Sequence, residues 1–153
     1  MTNKVNKAKS ITTGIAGYSG TPLVKKLGIK AGQSVLVVHA PKLLLAQELQ
    51  PLPENVRLIA AHSEKQVDFI MLFADSAKVI RRDLPRLKQR LANTGTLWVS
   101  WPKKSSGVQT DLSFDIVQQS GLKIGLVDVK ICAVNDIWSG LKFVYRLKDR
   151  SSR

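Results

Sequence analysis

Residues 33–45, QSVLVVHAPKLLL, have the pattern of a buried strand followed by a tight turn and a helix. The continuous apolar run at residues 35–38 is typical of a strand covered on both faces. In α/β proteins that bind nucleotides, the first turn between strand and helix carries glycines, because the backbone lies against the ligand. Here that turn is His39-Ala40-Pro41 and contains no glycine. The stretch therefore predicts an α/β fold, and it raises the question of whether the usual ligand is bound.

Segments with strand and helix patterns alternate along the rest of the chain. Besides the strand at 34–39, the patterns predict strands at 56–60, 67–73, 96–101, 123–133 and 141–147. They predict helices at 22–27, 42–49, 76–92 and 111–120.

The ends of these helices have their own signals. Asp75 or Ser76 is expected to cap the longest helix, Pro85 to kink or divide it, and residues 93–95 to end it. Thr110 or Asp111 is expected to cap the next helix, and Gly121 to end it. The last two strands follow each other directly, so the last should be antiparallel. We predict a three-layer, Rossmann-like, mostly parallel sheet in the order two-one-three-four-six-five, with helices on both faces.

Length and composition limit the class of protein. A chain of 153 residues suits one domain, which we place at 15–150 behind a flexible basic tail at 1–14. The single cysteine, Cys132, excludes an internal disulfide and suits a reducing cytosol. No apolar run approaches the ~18 residues of a membrane span, and no apolar segment follows the first lysines to form a secretory signal. These features predict a cytoplasmic protein that does not enter membranes.

The charge is the strongest departure from an ordinary composition. With 24 Lys and Arg against 11 Asp and Glu, the formal net charge is +13. Such an excess favours anionic partners, nucleic acid among them, but it does not locate a site. The helix at 76–92 has a basic face opposite its leucines, which is either a solvated surface or a surface for phosphate backbones. Its cations are Lys78, Arg81, Arg82, Arg86, Lys88 and Arg90.

The order of elements resembles the class I methyltransferase fold, which also ends in two strands without a helix between them. KAGQSVLVV (30–38), VDFIMLFAD (67–75) and LPRLKQRLANTGTLWVSW (84–101) are similar to its first strand, a central strand and the helix and strand that follow. The chain from residue 17 to about 145 also resembles an uncharacterised bacterial family, domain of unknown function 3052. GYSGTPLVKKLGIKAGQ (17–33), LWVSWPKK (97–104) and DIWSGLKFV (136–144) carry that second resemblance. The first resemblance implies a fold that binds S-adenosylmethionine; the second implies no activity.

The chain departs from the methyltransferase pattern where the cofactor would bind. The turn that should be rich in glycine carries His39 and Pro41, and proline has no N–H to donate. The acidic residue expected at the end of the second strand is replaced by a region with His62, and Glu64 lies two residues further on. A third strand with its helices is missing. We therefore expect no cofactor, and no ordinary binding of S-adenosylmethionine.

Three functions stay open at this point. The first is a degenerate methyltransferase-like module that holds an anionic ligand at the carboxyl edge of the sheet. The second is an S-adenosylmethionine-dependent methyltransferase with an atypical cofactor site, and the third is a basic protein that binds RNA or forms a complex. No spacing of residues marks a nucleophile, so the catalytic residues are unknown. Two histidines without a third ligand do not predict a metal site.

The ligand is expected at the carboxyl ends of the strands, as in other open parallel sheets. The loop after the strand at 96–101 offers ammonium groups, hydroxyls and a glycine that lets the backbone approach an anion. The turn before the last strand adds a carboxylate and an indole. A polar loop that merely caps a helix is the alternative. The predicted ligand-binding residues are Lys103, Lys104, Ser105, Ser106, Gly107, Asp136 and Trp138.

Overall fold

The computed structural model describes residues 21–63 and 65–150, which form a six-stranded sheet with helices on both faces. The strands are β1 (Ser34–Val38), β2 (Arg57–Leu58), β3 (Val67–Phe73), β4 (Leu91–Pro102), β5 (Leu126–Ala133) and β6 (Trp138–Tyr145). Their order across the sheet is β2-β1-β3-β4-β6-β5. Neighbours from β2 to β4 are parallel, and β6 is antiparallel to both β4 and β5. The predicted α/β class, strand order and antiparallel last strand are confirmed.

The helices divide between the two faces of this sheet. They are α1 (Leu23–Leu27), a π-helix (Leu44–Glu48), α2 (Ala77–Arg90), a 3₁₀ turn (Lys104–Ser106), α3 (Phe114–Lys123) and α4 (Leu147–Arg150). One core cluster joins α2 and α3 to the sheet, and the other joins α1 and the π-helix to the opposite face. In the described residues no helix is long and apolar enough to cross a membrane.

The helix α2 packs through the apolar stripe predicted for it. Ile80, Leu84 and Leu87 are buried against the sheet, because residues three and four apart share one face of a helix. Pro85 lies on the exposed side, and α2 continues through it as one helix, so of the two predicted effects, a kink or a division, the division is wrong. Pro85 has no N–H to donate to the carbonyl of Arg81, four residues earlier. Arg81 is exposed, so water can replace the lost hydrogen bond.

The start of α3 lies later than predicted. Ser113 caps this helix, its Oγ accepting from the backbone N of Ile116 at 3.3 Å. Thr110 and Asp111 instead hold the start of α2. The hydroxyl of Thr110 donates to the carbonyl of Asp75 at 2.7 Å, and Oδ1 of Asp111 accepts from the backbone N of Ala77 at 2.9 Å. The predicted caps therefore bind a different helix from the one that they precede in the chain.

Two glycine positions correct the predicted helix ends. Gly121 lies inside α3, where a Cβ would sit 2.1 Å from the ring of Phe143, so it is needed for close packing and not as a stop. Residues 93–95 belong to β4, where the register with β3 shifts. A Cβ on Gly95 would lie 2.7 Å from the carbonyl oxygen of Asp68. Both corrections depend on neighbours that are distant in the sequence.

Candidate functional site at the carboxyl edge of the sheet

The turn after β1 is closed by a histidine in a glycine-like conformation. His39 has φ of 60°, in the left-handed region that residues with a Cβ rarely adopt. Its Nε2 lies 2.9 Å from Oδ2 of Asp83 on α2. The Asp83 side chain is 6% exposed, whereas the His39 side chain is 48% exposed. The side chain thus leans over the turn towards α2 and leaves one face open to solvent.

Two arginines of α2 complete the cluster around Asp83. Arg82 donates from Nε and Nη2 to the two carboxylate oxygens at 3.0 and 2.9 Å, and Nη2 of Arg86 donates to Oδ1 at 3.1 Å. The hydrogen bonds from Arg82 lower the pKa of Asp83 from 3.8 to about 2, with a smaller contribution from His39, although burial acts in the opposite direction. One carboxylate therefore faces two guanidinium groups, and the cluster has a net positive charge.

A cavity of about 480 Å³ opens beside this cluster. We call it the His39 cavity. Phe73 and Trp138 form an edge-to-face aromatic pair on its wall, with ring centroids 5.0 Å apart. The combination of the Arg82 guanidinium group and the Trp138 indole suits a small anion with a planar group. The lining residues are His39, Pro41, Phe73, Asp75, Val79, Arg82 and Trp138.

The predicted ligand loop is folded around its own backbone. The backbone N of Lys103 donates to the carbonyl of Ile137 at 2.7 Å, which joins this loop to the turn before β6. The hydroxyl of Ser106 donates to the carbonyl of Lys103 at 2.6 Å and accepts from the backbone N of Val108 at 3.1 Å. Gly107 ends the 3₁₀ turn with φ of 76°. Ser106 and Gly107 therefore have structural tasks in the loop, and the side chains of Lys104 and Ser105 are exposed.

The structure does not bring the predicted ligand-binding residues to one cavity. Lys104 and Gly107 line a cavity of about 760 Å³, which Asp75 and Asp111 also line. Asp136 lines a separate cavity of about 410 Å³, and only Trp138 reaches the His39 cavity.

The cavity of about 760 Å³ has a mixed lining, since the carboxylates of Asp75 and Asp111 face the ammonium group of Lys104. The start of α2 beside it is already capped by Ser76 and Asp111 of this chain. An external anion there would have to compete with the protein's own carboxylate. The His39 cavity is therefore the better candidate.

Arg82 and Asp83 were missed as site residues by the sequence interpretation, which placed Arg82 on a solvated or phosphate-binding face. A signal existed, because Asp83 lies three residues after Ile80 and four before Leu87, on the buried stripe of α2. A charged residue in such a stripe needs a partner.

The basic face of α2 is only partly available to a ligand. Nζ of Lys88 donates to the carbonyl of Ile124 at 2.5 Å, and Arg90 donates to the carbonyls of Lys65 and Ala61 at 3.2 and 2.8 Å. Together with the two arginines on Asp83, most of the predicted surface is bound to the protein itself. Across residues 21–63 and 65–150, no group of three or more His, Cys, Asp or Glu side chains is arranged to hold a metal ion.

Comparison with solved structures identifies the architecture. The chain is similar to a ribosomal protein L11 methylase from Lactobacillus delbrueckii subsp. bulgaricus (13% identity, 81% of this chain and 75% of that chain, TM-score 0.54). It is similar to a precorrin-6y C5,15-methyltransferase from Geobacter metallireducens (11% identity, 81% of this chain and 86% of that chain, TM-score 0.53). It is also similar to DhpI, solved as a complex with SAH (10% identity, 82% of this chain and 83% of that chain, TM-score 0.59).

The fold is class I methyltransferase-like. At these identities the likeness shows the fold alone, because function depends on the site. No protein-family model matches the chain, and no curated protein sequence matches it. The resemblance to domain of unknown function 3052 therefore stays a resemblance.

Proposed function

We propose that this protein is a degenerate methyltransferase-like module that does not bind S-adenosylmethionine in the ordinary way and holds a small anionic ligand in the His39 cavity. The observation that carries the proposal is the bridge between His39 and Asp83 across the first turn. The single cysteine supports a cytoplasmic location. Membership of the bacterial family, domain of unknown function 3052, is part of the same proposal.

The geometry of the turn supports the loss of ordinary cofactor binding. A glycine-rich turn leaves space for a ligand and presents its N–H groups to it. Here the imidazole of His39 reaches across the turn to Asp83, and Pro41 removes one N–H. Opening the turn would separate a buried carboxylate from one of its three partners, which costs free energy.

The guanidinium group of Arg82 supports an anionic ligand in place of the cofactor, although the carboxylate of Asp75 also lines the cavity. Arg82 lines the cavity while it holds Asp83. Its guanidinium group has five N–H donors, so it can bind the carboxylate and still present others to a phosphate or carboxylate group. His39 is half exposed beside this guanidinium group, and Trp138 offers a flat apolar surface.

The first test is calorimetry of the unmodified protein with S-adenosylmethionine and with S-adenosylhomocysteine. We expect no saturable heat up to about 1 mM of either, which corresponds to a binding free energy weaker than about −4 kcal/mol. Saturable binding at micromolar concentrations would support the second function, a methyltransferase with an atypical site, and would overturn this proposal.

The second test is thermal unfolding with adenosine 5′-monophosphate, with inorganic phosphate and with adenosine. A ligand at ten times its Kd stabilises by about 1.4 kcal/mol, which raises Tm by about 3–5 °C. We expect that rise with the monophosphate but not with adenosine, and we expect Arg82→Gln to abolish it. Arg81→Gln is the matched control, because Arg81 is exposed and lies outside the His39 cavity. If the monophosphate raises the Tm of Arg82→Gln and Arg81→Gln equally, the proposed anion site is wrong.

A further inference from the structure

One face of the β5–β6 ribbon carries lysines that point the same way. Lys130 and Lys142 are directly opposed in the antiparallel ladder, and directly opposed residues share a face of the sheet. Lys142 is also opposed to Trp98, which belongs to the core on the α1 side. Both lysines therefore lie on the α1 face, whereas α3 packs on the other face against Phe143.

Lysines from α1 and from the turn after it extend this group. Nζ of Lys26 donates to the carbonyl of Ala133 at 2.7 Å, and Nζ of Lys130 donates to the carbonyl of Lys26 at 3.3 Å. Lys30 adds a fourth ammonium close enough to Lys142 to affect its titration. We call Lys26, Lys30, Lys130 and Lys142 the lysine surface.

The lysine surface has no acidic partner among the residues that the structure describes. The ion pairs formed within residues 21–63 and 65–150 all involve Asp83, on the opposite side of the sheet. The carboxylate of Asp128 on β5 binds Gln118 of α3 instead. Glu48 and Asp136 share a cavity with Lys26, but Glu48 binds Asn135 there. None of the four lysines therefore forms an ion pair with a carboxylate in the described part of the chain.

This arrangement is unfavourable for the folded chain alone. Like charges placed directly opposite each other on neighbouring strands destabilise a sheet. Burial lowers the pKa of Lys142, and the nearby charges of Lys130 and Lys30 lower it further. Two lysines on adjacent strands would be better replaced by polar groups if stability were the only requirement. Their presence is explained if an external anion neutralises them.

We propose that the lysine surface binds the phosphate backbone of nucleic acid. A group of ammonium groups that forms no ion pair with a described carboxylate matches a series of phosphates, and the chain's net charge of +13 adds long-range attraction. A membrane surface fits less well, because apolar side chains must insert beside the lysines. The apolar residues Val127, Cys132 and Val144 on this face are only partly exposed, and Val129 beside Lys130 is a single apolar side chain with 53% exposure.

The test is fluorescence anisotropy with a labelled 20-nucleotide oligouridylate at several salt concentrations. Each phosphate contact on a single strand contributes about 0.7 to the slope of log affinity against log salt. We expect Lys130→Gln with Lys142→Gln to reduce the slope by about 1.4. At 50 mM salt that change corresponds to a loss of roughly 60-fold in affinity.

The matched control removes the same charge elsewhere. Lys78→Gln with Arg81→Gln changes two exposed cations on α2, and it should keep the slope of the unmodified protein. Lys130→Arg with Lys142→Arg keeps both charges and should also keep that slope. If the two charge-removing variants lose affinity equally, binding reflects net charge alone and the assignment of this surface is wrong. Unchanged binding in the β5–β6 variant overturns it as well.

Two further measurements keep the result interpretable. Lys142→Gln alone relieves the opposed charges, so its Tm should equal or exceed that of the unmodified protein, and its salt slope should fall by about 0.7. Vesicles containing 30% phosphatidylserine form the second arm. Binding to vesicles without binding to the oligonucleotide would show a membrane surface and contradict the proposal.

Discussion

Replacing Asp83 by asparagine tests the centre of the carboxyl-edge cluster. The substitution keeps the shape of the side chain but removes the charge that binds His39, Arg82 and Arg86. A pKa lowered from 3.8 to about 2 corresponds to about 2.5 kcal/mol of stability at neutral pH. The three partners are 48%, 55% and 78% exposed, so solvent screens part of this interaction. We expect Asp83→Asn to lower the free energy of unfolding by about 1–2 kcal/mol at pH 7.

The stabilising contribution of Asp83 should decrease as the pH falls. The folded-state pKa of Asp83 lies below the unfolded value, so its contribution is complete above about pH 4 and disappears as the pH falls towards 2. About half of it should remain at pH 3. Urea unfolding at pH 7 and pH 3 should therefore show the difference between the variant and the unmodified protein shrinking by about half.

A control and a clear contrary outcome complete the experiment. Glu54→Gln removes an exposed carboxylate and should change stability by less than about 0.5 kcal/mol at both pH values. A difference for Asp83→Asn that stays constant between pH 7 and pH 3 would mean that shape or packing, and not charge, explains its effect. No difference at pH 7 would show that the cluster does not stabilise the fold.

Two further predictions concern packing and reactivity. Gly121→Ala should lower the free energy of unfolding by about 1–3 kcal/mol, because its Cβ would overlap the Phe143 ring. Thermal unfolding checks this, with Gln119→Ala as the exposed control. A Tm for Gly121→Ala equal to that of the unmodified protein would refute the close contact. Burial raises the pKa of Cys132 although nearby lysines lower it, so its reaction with a disulfide reagent should be slow at pH 7 and accelerate above pH 9. Complete reaction within seconds at pH 7 would contradict that burial.

The sheet could be predicted from the sequence because its signals are local. The apolar run of β3 and the pattern of β1 mark strands directly. Two adjacent strands at the end of the chain can pair only in the antiparallel sense without a long crossover. The predicted helix ends were wrong where a contact with a distant residue decides where the helix begins or ends. Thr110 is a good cap by composition, yet its hydroxyl binds Asp75, 35 residues away.

The site could be predicted only in part, for a related reason. The sequence shows that the turn after β1 has no glycine and that His39 stands there instead. The partner of that histidine lies 44 residues away on α2, and the residues around it form an ordinary basic face. The predicted ligand-binding residues share loop chemistry, but nothing in their spacing shows that Lys104 and Gly107, Asp136, and Trp138 line three separate cavities.

The turn after β1 bears on whether this protein has merely lost a ligand. A turn without a function could adopt any unstrained conformation, whereas His39 keeps a left-handed backbone that costs about 1–3 kcal/mol in residues other than glycine. The bond to Asp83 offsets that cost, and Arg82 and Arg86 keep the carboxylate ionised. A strained residue, a buried charge and two cations thus support one another beside an open cavity. Because strained conformations and buried charges cluster at binding and catalytic sites, this arrangement supports the proposed ligand site beside the turn.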